Sequence, residues 1–284
     1  STGGPDGVAL SEGDQTLMGL DPLTIEELLG EGRDHRCQGF GPDEICVRIA
    51  AIADLPTRFG AFQVVAFLND RDGKEHAAFV KGDPTGKEGI PVRLHSECLT
   101  GDAIGSLRCD CRDQLEAALR FLGTQEAGLL LYLRQEGRGI GFLNKIRTYG
   151  LQDHGYDTVD ANLALGFRDD ERDYAVAAHI LATLRVRSIR LCTNNPRKVD
   201  DLAKHGVQVI ERIPLEVEPN DYNRFYLATK AIKSGHLFSP DGRRRLLEQG
   251  DRPLVRGMSQ EQRAAVLEEQ RAAELEGAPP LAGG

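Results

Sequence analysis

Three cysteines carry the densest chemistry in the chain. Cys98, Cys109 and Cys111 stand as C-x10-C-x-C, while Cys37, Cys46 and Cys192 lie far off in other contexts. Thiolates are soft ligands that suit Zn²⁺, at about 2.3 Å per bond. A C-x-C pair brings two sulfurs to one point only if the backbone turns tightly. The third must return from a loop, here residues 99–108 with Gly101 and Gly105. Structural zinc sites close with four protein ligands, whereas catalytic sites keep one position for water. Three cysteines without an evident fourth ligand point to the second kind. His95 as a fourth ligand would make the site structural, and reduced thiols in a loop are the plain alternative.

Other segments carry chemistry only conditionally. His95-Ser96-Glu97 has the H-x-E spacing of zinc deaminases, in which zinc-bound hydroxide attacks a ring carbon. Their P-C-x-x-C is absent here, so a deaminase is not expected, although hydroxide attack on a heteroaromatic ring remains coherent chemistry. Glu136-Gly-Arg-Gly-Ile-Gly141 fits neither the P-loop nor the dinucleotide fingerprint. Its glycines do permit close backbone approach to a phosphate or a ring. Taken alone, residues 169–173 (Asp-Asp-Glu-Arg-Asp) read as a charged, solvated helix start, and Tyr149 as a packed helix aromatic.

The elements that must position these residues follow from hydrophobic periodicity. β-type runs are expected at 62–68, 76–81 and 90–95. An amphipathic helix follows at 113–122, with a buried strand at 129–133. After the glycine turn at 137–141 come helices at 143–152 and 173–184, a buried strand at 188–192, a helix opened by Asn195-Pro196, and a strand at 207–212. The fold class is therefore α/β, with mixed sheets flanked by helices and a β-rich N-terminal part. Three regions are expected. Residues 1–50 form a partly irregular extension, with a short helix in 21–32 capped by Thr24. Residues 51–237 form the catalytic domain, and 238–284 a charged helical or flexible tail without chemistry.

Composition bounds the function. The chain has 284 residues, 28% of them charged and 40% hydrophobic, and a net charge of −9. That balance argues against a surface built to grip nucleic acid but leaves room for a local basic pocket. No apolar run approaches the roughly 20 residues of a membrane helix. Residues 1–20 show no secretory pattern, and Ser1 in place of Met leads us to expect a trimmed start. Six cysteines are too sparse for a disulfide scaffold. A cytoplasmic protein with neither nucleic-acid nor membrane partners is expected.

Several motifs in series are more specific than any one of them. Arg93-Leu-His-Ser-Glu-Cys98-Leu-Thr-Gly-Asp102 and Ser106-Leu-Arg-Cys109-Asp-Cys111 are followed by residues 133–141 and Asn144-Lys145-Ile146-Arg147. Then come Tyr149, Gly155-Tyr-Asp-Thr158, Asp160-Ala-Asn162, Leu165-Gly-Phe167, Asp170-Glu-Arg-Asp173 and Thr193-Asn-Asn-Pro-Arg-Lys198. Over about residues 55–237 this closely resembles GTP cyclohydrolase II. The resemblance implies hydrolysis of GTP to 2,5-diamino-6-ribosylamino-4(3H)-pyrimidinone 5′-phosphate, formate and diphosphate, the first step of riboflavin biosynthesis.

The resemblance also implies roles. Cys98, Cys109 and Cys111 would hold one Zn²⁺ per subunit, and Tyr149 would assist ring opening. Asp170 and Arg172 match the family's proton acceptor and proposed nucleophile. An arginine nucleophile is chemically awkward, because the guanidinium stays protonated, so Arg172 as a stabiliser of phosphate charge is the alternative. Arg93, Leu94, His95, Ser96, Glu97, Gln114, Glu136, Gly137, Arg138, Thr158, Thr193 and Lys198 match the GTP-contacting positions. On chemical grounds Glu136 would accept from guanine N1–H and the 2-amino group. Mg²⁺ is expected with the triphosphate, and the family suggests a homodimer. Residues 1–50 resemble no dihydroxybutanone phosphate synthase domain, so a single activity is expected, and removing 1–45 should spare the chemistry. The rival readings are a cyclohydrolase of a specialised pathway and a non-catalytic zinc- or nucleotide-binding regulatory module.

Overall fold

The computed structural model describes residues 19–33, 45–232 and 235–247. Seven strands form one mixed sheet: β1 (Val47–Thr57), β2 (Gly60–Asn69), β3 (His76–Lys81), β4 (Ile90–Ser96), β5 (Gly128–Leu133), β6 (Ile189–Cys192) and β7 (Val209–Ile213). Their order is β1-β2-β3-β5-β4-β6-β7. The first three strands form an antiparallel meander, and β3 joins β5 antiparallel. From β5 onward every pairing is parallel. The α/β class expected from the sequence is the class observed.

Period-two alternation sorts the central strands by face. Val92 and Leu94 of β4, with Leu129, Leu131 and Leu133 of β5, join the main core. That core is covered by α5 (Ala175–Thr183), whose residues 175–181 are all buried. On the opposite face, Leu130 packs with Phe62 and with Ala118 and Leu122 of α2 (Cys111–Gly123). Arg93 and His95 alternate with Val92 and Leu94, yet both are buried. A strand that buries charged groups on one face must give them partners there, and that face holds the site.

The remaining helices are α1 (Pro22–Arg33), α3 (Gly141–Asp153), α4 (Thr158–Ala164), α6 (Pro196–Lys204), α7 (Arg224–Ile232) and α8 (Pro240–Leu247). Asp21 caps α1, accepting from Leu23 N at 2.9 Å and Thr24 N at 3.0 Å. The cap is therefore Asp21 and not Thr24, and Pro22 fills the first helical position, where its missing N–H costs nothing. Leu20 and Leu28 lie in the main core, and Glu27 and Glu31 both pair with Arg185. This part of the N-terminal segment is thus structural, and a boundary at residue 50 would cut through β1. The expected strands began at Phe62 and missed β1, whose register shifts between Ile49 and Ala51. That bulge breaks the alternation from which strands are recognised. Residues 169–173 are not helical. α5 starts at Ala175, just after Asp173 accepts from its N–H at 2.8 Å. Expectations for residues 1–18 and 248–284 lie outside the described residues.

Candidate active site

The three parallel strands β5, β4 and β6 release their motifs at the same end of the sheet. β4 runs into His95–Cys98, β5 into Gln135–Arg138 and β6 into Thr193–Asn195. A crevice beyond the carboxyl ends of parallel strands is where open α/β sheets bind ligands. Here the crevice is walled by all three motifs, together with residues of α2, α3, α6 and α7.

The cysteines converge at one side. After β4 the chain makes a single wide turn, Leu99–Ala103, and returns at Cys109 and Cys111, the latter opening α2. The three sulfurs lie within 4.8 Å of one another, with Cys98 Sγ and Cys109 Sγ 3.7 Å apart. Two sulfurs about 2.3 Å from one tetrahedral ion would lie about 3.8 Å apart, so the spacing fits. Gly101 forms the floor. A Cβ there would sit 2.8 Å from Cys109 Sγ and 3.0 Å from Cys98 Sγ. Contacts with Cys109, Cys111 and Lys145 hold Cys98 far below the usual thiol range despite burial. Cys111 is pushed well above that range by its hydrogen bonds to Cys109 and Cys98 and by burial. Three crowded thiols cannot all ionise without a cation among them, so this donor set suits a thiophilic divalent ion.

His95 is not a fourth ligand. Its Nε2 lies 3.0 Å from both Asp102 oxygens, and its ring stacks on Tyr132 at 5.5 Å. Burial pushes its pKa down despite Asp102. Asp102 also accepts from Cys98 N at 3.0 Å and from the Tyr132 hydroxyl at 2.8 Å. The carboxylate thus ties the first cysteine to β4 and β5.

Tyr149, on α3, faces the cysteine end. Its hydroxyl is 3.2 Å from Thr100 Oγ1, the Arg108 guanidinium lies 4.9 Å from its ring centroid, and burial pushes its pKa up to about 12. Glu136 is already engaged. Its Oε2 accepts from Leu99 N at 2.7 Å, and its Oε1 accepts from Gly137 N at 2.9 Å and Lys145 Nζ at 2.8 Å. With three of its four lone-pair positions taken, this carboxylate braces the cysteine loop while also lining the crevice.

Cations line the crevice as well. Arg172 grips Asp170, with Nε 2.7 Å from Oδ1. Burial opposes its charge, but Tyr174 and Asp170 hold its pKa above the ordinary guanidinium value. Asp170 is in turn held low by Arg172 despite burial. Arg138 pairs with Asp169 at 2.6 Å. It adopts φ 61°, a left-handed conformation unfavourable for a non-glycine residue, directly after Gly137 at φ 63°, and the two turn the chain beside the crevice. Gly139 is forced, since a Cβ there would meet the Glu171 backbone at 2.9 Å. Lys198 reaches back to Leu94 O at 2.9 Å, and Arg93 donates to Cys192 O at 2.9 Å and Gln114 Oε1 at 2.5 Å.

Of the residues matched from sequence, all but two line this crevice. Leu94 faces the main core and offers only its carbonyl. Asp170 stands behind Arg172. Sequence reasoning gave no role to Lys145, Arg108, Asn194, Tyr226 or His236, which also line the crevice. Lys145 lies within Asn144–Arg147, a stretch whose composition alone names no role for it. Tyr226 and His236 follow stretches with no recognisable pattern.

Comparison with known proteins adds the family. The family model described as GTP cyclohydrolase II matches residues 47–214. A protein named GTP cyclohydrolase-2 from Tolumonas auensis is 56% identical over 191 residues, covering 67% of this chain and 97% of that one. Its namesake from Picrophilus torridus is 53% identical over 186 residues, 66% of this chain and 96% of that one. A "Riboflavin biosynthesis protein RibBA" from Synechocystis is 55% identical over 192 residues, 67% of this chain but 34% of that protein. The chain thus spans nearly the whole of the first two and about a third of the last.

Proposed function

The chain belongs to the GTP cyclohydrolase II family, and from that premise we propose that it hydrolyses GTP to 2,5-diamino-6-ribosylamino-4(3H)-pyrimidinone 5′-phosphate, formate and diphosphate, for riboflavin biosynthesis. The observation that carries the reading is one crevice lined both by a thiol cluster suited to a metal and by the guanidinium and ammonium groups of Arg93, Arg138, Arg172 and Lys198. A purine ring to be opened and a triphosphate to be held need both kinds of group in one cleft.

Cys98, Cys109 and Cys111 would hold one Zn²⁺, which supplies an activated water and Lewis acidity at the imidazole ring. Asp102 fixes the backbone of Cys98, and Glu136 fixes that of Leu99. Tyr149 keeps its proton at neutral pH and can donate it to a ring nitrogen as the ring opens. Arg93, Ser96, Glu97, Gln114, Gly137, Thr158 and Thr193, with His95 in its neutral form, line the same crevice and position the nucleotide.

Arg138, Arg172 and Lys198 offset the charge of the triphosphate, with Mg²⁺ arriving on the nucleotide. Arg172 acts as a charge clamp. Its bidentate Asp170 keeps it cationic, and a cationic guanidinium has no lone pair with which to attack phosphorus. Asp170 sets the orientation of that clamp.

We also read the protein as a homodimer and as cytoplasmic, without nucleic-acid or membrane partners. Exposed Ile104 and Leu107 in the cysteine loop and Leu143 on α3 support the dimer. Among the described residues no helix is long and apolar enough to cross a membrane. The test of function is mass-spectrometric product analysis from GTP with Mg²⁺ and Zn²⁺. Formate and the diaminopyrimidine phosphate are expected together, and nucleotide bound but recovered intact would sink the proposal.

A further inference from the structure

Lys145 is the one buried cation in contact with the thiol cluster among the described residues. Its Nζ lies 3.1 Å from Cys98 Sγ and 2.8 Å from Glu136 Oε1, and its side chain is 9% exposed. The stem is packed as well, since a Cβ at Gly137 would come within 3.1 Å of Lys145 Cβ. Glu136 spends its other oxygen on Leu99 N. One carboxylate therefore fixes both the donor to the Cys98 sulfur and the peptide that follows that sulfur.

We propose that Lys145 is a positioning residue of the metal centre, an ammonium braced by Glu136 that donates to the Cys98 sulfur and draws charge from that one ligand. The inference rests on the reading that a metal is held by the three cysteines. Three thiolates around a divalent ion leave one net negative charge, which opposes Lewis acidity. A hydrogen bond to a ligating sulfur lowers its donor strength and leaves the ion more electrophilic. Cys109 and Cys111 have no such ammonium contact among the described residues. The arrangement is therefore asymmetric, with Cys98 the ligand whose charge is withdrawn. A lysine placed only to bind phosphate would not be locked between a carboxylate and a sulfur, on the helix that also carries Tyr149.

The test uses the cobalt(II)-substituted protein, whose near-ultraviolet sulfur-to-cobalt charge-transfer band reports the energy of the sulfur lone pairs. Lys145→Met should move this band to longer wavelength, and the zinc form should release formate about 10-fold more slowly or worse. Lys145→Arg, which keeps a cationic donor, should recover part of both. Lys145→Leu, likewise neutral and without a donor, is read in the same way if the Met variant does not fold. A band that stays in place in the neutral variant overturns the role of Lys145 alone. A parent protein that shows no such band with cobalt overturns the metal reading, and this inference with it.

Discussion

Arg172 holds Asp170 with two guanidinium nitrogens, the Nε contact being 2.7 Å, and both side chains are largely buried. Arg172 lines the crevice, and Asp170 is not among the residues that line it. For Arg172→Ala we expect diphosphate release to fall about 10²-fold or more, as when a fixed charge is taken from a developing anion. Intact-protein mass spectrometry during turnover should show no nucleotidyl adduct on the parent enzyme. An adduct that maps to Arg172 would refute the clamp. Asp170 is held below its ordinary value of 3.8. The stability it contributes should be complete above that pH and be lost as pH falls through the lower, folded value.

Tyr149 gives the complementary prediction at the cysteine end. Its pKa is pushed up to about 12 by burial, so it stays a proton donor throughout the neutral range. Tyr149→Phe keeps the ring under Arg108 and loses only the hydroxyl near Thr100. Formate release should fall by roughly 10²–10⁴-fold while zinc content is unchanged. The parent's pH profile for formate release should show no loss attributable to this phenol below about pH 11. Formate release at the parent rate from the Phe variant would remove the role.

Much of this arrangement was legible in the sequence, and the exceptions have physical causes. Strands such as Gly128–Leu133 are apolar on both faces because they are covered on both, and such runs announce themselves. The cysteine spacing likewise required a tight return, which the glycine-floored turn supplies. β1 was missed because a bulge breaks its alternation. Glu136 suits guanine by its chemistry, and nothing in its neighbours along the chain reveals that it also accepts from Leu99 N, 37 residues away. Residues 169–173 resemble a solvated helix start in composition, yet they run non-helically beside the crevice and hold Arg172 largely out of solvent. Local pattern reports which faces are covered, and it cannot report which distant polar group covers them.

Leu28 tests whether the N-terminal segment belongs to the fold. Its side chain is 2% exposed and sits in the main core with residues of β1 and α5. Leu28→Ala should cost about 2–5 kcal/mol in chemical denaturation. Removal of residues 1–45, which takes away all of α1, should lower the thermal midpoint further while leaving KM for GTP unchanged in whatever fraction stays folded. Unfolding curves that superimpose for parent and truncated protein would show that α1 contributes nothing to stability.

Gly101 separates the geometry of the thiol cluster from its chemistry. All three cysteines remain in Gly101→Ala, and the backbone there needs no left-handed conformation, since Gly101 is absent from the positive-φ positions. The methyl group, however, would lie 2.8 Å from Cys109 Sγ, 3.0 Å from Cys98 Sγ and 3.0 Å from Cys111 Cβ. None of these atoms can yield without moving a sulfur, because Asp102 holds Cys98 by its N–H and Cys111 opens a packed helix. The variant should therefore fold, with a thermal midpoint near that of the metal-free parent, and yet release zinc to a chelator about 10-fold faster or more, on the scale by which supporting groups tune metal sites. Formate release should fall in step with zinc content. Full zinc retention by Gly101→Ala would mean that the sulfurs are not held where the cluster needs them, and that the glycine is there for the turn alone.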